Sequence, residues 1–142
     1  LRTTRKVYYA LVQGRPPQAE GTIDLALERD PANRQRFHGT PSGGREALTR
    51  WRVVRSWPGC SLVRFAPRTG RTHQLRVHAR AIGCPIVGDP VYGRPDARFP
   101  GTTLMLHAYS LGITLPGRGT MSRFHAPLPQ RFRSLLAGLP RA

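Results

Sequence analysis

Between Ala47 and Ile82 the hydrophobic pattern changes period once, and that change limits the architectures open to the chain. ALTRWRVVRSW (Ala47–Trp57) and SLVRFAP (Ser61–Pro67) carry strand-type residues with alternating arginines on either side of Pro58-Gly59, the pattern of a β-hairpin. In THQLRVHARAI (Thr72–Ile82), Leu75, Ala79 and Ile82 fall at i, i+4 and i+7, an apolar stripe at helical spacing. Thr72 is the expected N-cap, and Gly83 and Pro85 supply the stop. A hairpin that feeds a short amphipathic helix points to a mixed α+β arrangement.

The flanking segments extend this picture. Arg5–Gln13 is apolar or aromatic on both faces and reads as a buried strand. Gly21–Glu28 places Ile23, Leu25 and Leu27 on one face and reads as a half-buried strand. Arg29–Arg45 is polar, basic and glycine-rich, so an exposed loop is expected there. Two further strands are expected at Thr103–Tyr109 and Leu111–Leu115. A C-terminal helix within 127–139 would use Phe132, Leu135, Leu136 and Leu139 as its apolar side. The sum is one α+β domain, mixed but built mainly on an antiparallel β-sheet with a few helices, over all 142 residues.

Charge narrows the partner. Twenty-three Lys and Arg against seven Asp and Glu give a formal charge of +16, and every one of these cations except Lys6 is arginine. Such an excess repels itself unless a polyanion lies beside it, and arginine's planar fork suits phosphates and base stacking. Nucleic acid is the expected partner. Cys60 and Cys84 form no CxxC pair, which favours a reducing cytoplasm over a disulfide scaffold. No apolar run approaches the roughly 20 residues that span a bilayer, so no membrane partner is expected.

Four groups of residues could carry chemistry. His73 and His78 stand five apart, which separates them by roughly 140° on a helix; spacing four would let both face one ion, so no metal is expected. Arg76 lies at the edge of the Leu75 stripe, where it is either part of a solvated polar face with His73 and Arg80 or a cation held by a carboxylate or phosphate. Arg68, Gly70 and Arg71 precede the helix N-terminus, which is either a phosphate cradle or ordinary charge on a turn. Tyr8 and Tyr9 point to opposite faces of their strand, so one can pack while the other offers its ring to a base.

Taken in order, K-x-Y-x-A at the start, GTID, RTGRTHQLRVH with GDPVYG, LHAYSL and FHAPLP resemble the RluA-type family of RNA pseudouridine synthases along nearly the whole chain. The resemblance implies isomerisation of uridine to pseudouridine in structured ribosomal or transfer RNA, with no metal or organic cofactor, by a cytoplasmic protein expected to be monomeric. It carries over Tyr8 as the residue stacking on uracil, Arg76 as partner of an essential aspartate and Leu75 as a pocket wall. Arg68, Arg71, Arg34 and Arg36 become candidates for RNA phosphates. The family's aspartate lies in an H-R-L-D-x-x-T-S-G segment upstream of K-x-Y, and this sequence has none. Asp89 of GDPVYG is expected to fix a loop rather than to catalyse. Thr114-Leu115-Pro116 also departs from relatives, which tend to carry a His-Pro pair there. The chain begins LRTTRKVYYA, without methionine. The expectation is the C-terminal part of a catalytic domain, inactive alone; a degenerate RNA-binding paralogue is the alternative.

Overall fold

A computed structural model describes residues 3–114 and 121–140. Eight strands and two helices follow in the order β1 (Thr3–Gln13), β2 (Glu20–Asp24), β3 (Ala26–Arg29), β4 (Phe37–Thr40), β5 (Leu48–Trp57), β6 (Cys60–Pro67), α1 (Gln74–Ala81), β7 (Leu106–Thr114), β8 (Met121–His125) and α2 (Gln130–Ala137). Six strands form one sheet in the order β2-β5-β6-β1-β7-β8, and every ladder in it is antiparallel. Strand β1 is central because its side chains are apolar on both faces: Ala10, Leu11 and Val12 are all fully buried. It pairs with β6 on one side and β7 on the other.

The hairpin forms where the alternation places it, with Trp57 opposite Cys60 across the two-residue turn. Gly59 adopts φ 81, open to glycine without strain. A β-carbon there would also collide with the Arg98 guanidinium, which donates to the carbonyls of Pro58 (3.2 Å) and Gly59 (3.0 Å) while paired with Asp96. The long segment between α1 and β7 is thereby tied to the hairpin tip. The tail helix also forms as its stripe predicts: Phe132 is fully buried, and Leu135, Leu136 and Leu139 pack against the main core.

Four details of the strands differ from the sequence expectation. GTIDLALE is two strands, because the chain breaks at Leu25: β2 joins the large sheet while β3 pairs with β4 in a separate two-stranded sheet. The segment expected to be a loop therefore contains a strand, Phe37–Thr40, which alternation could not reveal in four residues with one glycine. The two runs near the C-terminus merge into β7, continuous through Ser110, and Leu115 and Pro116 lie outside the described residues. Strand β8, which ends on the first two residues of FHAPLP, pairs with β7 and was not expected.

Helix α1 differs at its start. Its N-cap is His73 rather than Thr72, in the left-handed region at φ 57, with no side-chain cap. That conformation costs a non-glycine residue roughly 1–2 kcal/mol, and a hydrogen bond between the His73 ring and Tyr92, described below, holds it there.

Candidate active site

Helix α1 is buried on more than its Leu75 stripe. Leu75 and Ala79 enter the main core, while Gln74, Val77 and His78 are buried beside them. Gln74 is a hub: its Nε2 donates to the Leu48 carbonyl (3.0 Å) and Thr49 Oγ1 (2.9 Å), and its Oε1 accepts from Thr69 Oγ1 (2.7 Å) and the Arg71 amide (3.1 Å). One glutamine thus clamps the turn before the helix onto β5. The clamp also corrects the phosphate-cradle expectation in part. The Arg71 amide is satisfied by Gln74, and the Gln74 amide donates to the Arg71 carbonyl (3.1 Å), so neither is offered to an anion.

His78 is fully buried between Thr49 Oγ1 and the Leu25 carbonyl, 2.8 Å from each. His73 instead places Nδ1 2.7 Å from the Tyr92 hydroxyl. The two rings serve different partners. Burial holds the His78 pKa below its ordinary 6.5, against opposing contributions from the Leu25 carbonyl and Asp24. His73 is also lowered, by burial first and then by Arg76, with Asp89 opposing. The unfolded chain then takes up protons below pH 6.5 that the folded chain refuses, so stability is complete above that value and is lost as pH falls towards the folded pKa values. Urea midpoints should drop between about pH 7 and pH 5, and His78→Asn should flatten that drop; a level profile in the wild type would contradict it. Asp89, titrating below its ordinary 3.8, contributes little across that window.

Asp89 takes the centre of the site. Arg76 donates to it through Nε (2.9 Å to Oδ2) and Nη2 (2.8 Å to Oδ1), a bidentate pair with side chains 16% and 0% exposed. The amides of Val91 (2.9 Å) and Tyr92 (3.0 Å) donate to the same Oδ1. Burial alone would raise the Asp89 pKa, but the Arg76 hydrogen bond and the two amides outweigh it. Asp89 is therefore a held carboxylate that fixes both its loop and the arginine. Gly88 makes the approach possible: at φ 78, any β-carbon would stand 2.1 Å from the Thr103 carbonyl oxygen. The Arg76 guanidinium also lies 5.1 Å from the centre of the Tyr92 ring, and the Tyr92 hydroxyl accepts from the Phe37 amide (2.9 Å).

Of the residues singled out in the sequence, Tyr8, Leu75, Arg76 and Arg71 come together. They line one cavity of about 280 Å³, with Leu106, Lys6 and the 69–71 turn closing its rim. No acidic side chain lines it among the described residues. Arg71 is partly committed, donating from Nε to the Glu46 carbonyl (2.6 Å). Tyr9 points the other way and meets Tyr109 edge-on at 4.8 Å. Arg36 stands 5.3 Å from the Tyr92 ring, on the outskirts of the site. Arg34 and Arg68 do not line the cavity. Sequence reasoning missed Gln74, which adjoins Leu75 in the quoted motif, and Tyr92, which lies three residues after Asp89 in GDPVYG.

A family model described as RNA pseudouridylate synthase matches residues 1–81. The chain belongs to the RluA-type RNA pseudouridine synthase family. An uncharacterized RNA pseudouridine synthase of Chloroflexus aurantiacus is 45% identical over 97% of this chain and 43% of its own length. Ribosomal large subunit pseudouridine synthase D of Borreliella burgdorferi is 41% identical over 92% of this chain and 40% of its own. The Escherichia coli dual-specificity RNA pseudouridine synthase RluA is 42% identical over 89% and 58%. The chain thus spans about two fifths to three fifths of these relatives. Among solved structures, human RNA pseudouridylate synthase domain containing 1 superposes with TM-score 0.77 at 32% identity, covering 96% of this chain and 59% of that one. The pseudouridine synthase fold explains the mainly antiparallel sheet with two helices.

Proposed function

We propose that the full-length protein is an RNA pseudouridine synthase and that this chain supplies the receiving side of its active site. The observation that carries the reading is one cavity holding an aromatic ring (Tyr8), an apolar wall (Leu75) and an oriented cation (Arg76), in a chain of this family. At about 280 Å³ the cavity lies just under the roughly 300–1,000 Å³ of ligand sites, which suits one base rather than a helix.

In the reaction the N1–C1′ bond of uridine breaks and a C5–C1′ bond forms. N1 gains a proton, and the C5 proton leaves to solvent. The base must be held flat while detached, the task assigned to Tyr8 and Leu75. Arg76 has Nε and Nη2 committed to Asp89, so Nη1 is the edge assigned to the aspartate that the family carries upstream. No acid lines the cavity among the described residues, and the H-R-L-D segment of the family is assigned to a part of the protein upstream of this chain, so the 142 residues alone should form no pseudouridine. Structured ribosomal or transfer RNA is the assigned substrate, with Arg71 and Arg36 as the nearer phosphate contacts and Arg68 and Arg34 as outer ones. A monomeric cytoplasmic protein needing no cofactor completes the reading.

Tyr8 tests it. Base–aromatic stacking contributes about 1–3 kcal/mol, so Tyr8→Ala in the full-length protein should slow pseudouridine formation by roughly 5- to 150-fold, since about 1.4 kcal/mol is tenfold. Tyr8→Phe keeps the ring and should retain most of the activity. Complete inactivation by Tyr8→Phe would transfer the role from the ring to the hydroxyl.

A further inference from the structure

The sheet carries a second cavity, of about 480 Å³, lined by six arginines and Lys6. The strand register places its centre on the face opposite the uridine cavity. Tyr8 is paired with Phe65, and Phe65 with Trp51, so those three share one face. Arg64 and Arg52 are the neighbours of Phe65 and Trp51 in sequence, and successive side chains alternate, so both point to the other face. They stand directly opposite each other across the β5–β6 ladder.

That pairing is costly. Like charges in direct cross-strand register are destabilising. The same row continues to Glu20, opposite Arg52, and Glu20 is the only acid lining the cavity among the described residues. Yet none of these arginines is in an ion pair among the described residues. A second row repeats the pattern: Arg5 pairs with Gly112, and Gly112 with Arg123, leaving two cations on either side of a residue with no side chain. Arg68, outside the uridine cavity, lines this one. The two cavities meet at Lys6 and Pro67, which line both.

We infer that this face is a phosphate track for the RNA strand flanking the uridine that enters the Tyr8–Leu75–Arg76 cavity. The strand crosses the rim at Lys6 and lays successive phosphates over the Arg52–Arg64 and Arg5–Arg123 rows. This rests on the proposed function, since continuity with the uridine cavity is what selects RNA over any other polyanion. Arginine forks grip phosphate bidentately, and an anionic strand removes the like-charge penalty that the unbound face carries.

The test uses the full-length protein, a fluorescein-labelled oligouridylate and a salt titration. Each neutralised phosphate on a single strand contributes about −0.7 to the slope of log K against log salt. Arg52→Gln with Arg64→Gln should therefore make the slope shallower by about 1.4, and Arg5→Gln with Arg123→Gln should do the same. Thermal unfolding midpoints should stay level or rise, because like charges have been removed. An unchanged slope in both pairs overturns the track. A fall in midpoint with an unchanged slope also overturns it and shows that the face packs against protein in the full-length chain. Loss of folding in both pairs overturns it for the same reason, and binding to phosphatidylserine vesicles with no change in the RNA slope would replace RNA by a membrane. Wild-type pseudouridine formation is measured alongside. Product with an unchanged slope sinks the track alone, whereas a shallower slope without product sinks only the proposed activity.

Discussion

In the full-length protein, Arg76→Lys and Arg76→Ala should both lose pseudouridine formation by at least about 10²–10³-fold, the cost of deleting one preorganised electrostatic contact. RNA affinity should fall less than about tenfold. Arg76 is held by two hydrogen bonds in the plane of its guanidinium, 2.9 and 2.8 Å from Asp89. A lysine keeps the charge but carries its donors on one tetrahedral nitrogen, so it cannot reproduce the planar fork that grips both carboxylate oxygens and presents Nη1 to the cavity. The lysine variant matters because it separates roles: a simple phosphate contact would survive it largely intact. Single-turnover product formation, read by nucleoside chromatography, and filter binding on the same preparations give the comparison. Equal losses in the two assays would reduce Arg76 to a phosphate contact.

The second large effect is on stability. Asp89→Ala should lower the unfolding free energy by about 3–5 kcal/mol, because it leaves Arg76 half-buried without its counter-charge and orphans the Val91 and Tyr92 amides. The double variant Asp89→Ala with Arg76→Met should be more stable than Asp89→Ala alone, since the stranded cation has gone. Urea denaturation of the three proteins measures both statements. A loss under about 1 kcal/mol in the single variant would mean that Asp89 is solvated and the pair is incidental. The pair also has a pH signature. Its carboxylate titrates below its ordinary value, so its contribution is complete above about pH 4 and is lost only as pH falls through the depressed folded pKa.

Much of the fold was legible because strong periodic segments decided it. The Pro58-Gly59 hairpin, the helix carrying Leu75 and Ala79, and the Phe132 helix all formed where their patterns lay. What failed was short or set from a distance. Four residues at Phe37–Thr40 cannot display an alternation, and β4 exists because its partner β3 is bent away from the large sheet at Leu25. Thr72 is a good N-cap by composition, but His73 takes that place because Tyr92, nineteen residues later, holds its ring.

The site divides in the same way. Tyr8, Leu75 and Arg76 were named through the family's motifs, and they meet at one cavity. Asp89, thirteen residues downstream, holds Nε and Nη2 of Arg76, a second carboxylate beside the upstream one that the family's motif assigns to it. Spacing on a helix cannot reveal that contact, since Asp89 arrives on a loop whose path depends on Gly88 passing the Thr103 carbonyl. Nor could composition divide the arginines. Cross-strand register, which puts Arg52 against Arg64, appears only once β5 and β6 are paired.

The central claim is that the Tyr8–Leu75–Arg76 cavity receives a uridine and exchanges its N1 linkage for a C5 linkage. Tritium release from ribosomal or transfer RNA carrying [5-³H]uridine reports that exchange directly, because the C5 hydrogen leaves only when carbon replaces nitrogen at C1′. The full-length protein should release tritium to solvent until its target uridine is consumed. Tight RNA binding with no tritium released from either RNA would contradict the account and make the protein a binder that no longer modifies what it holds.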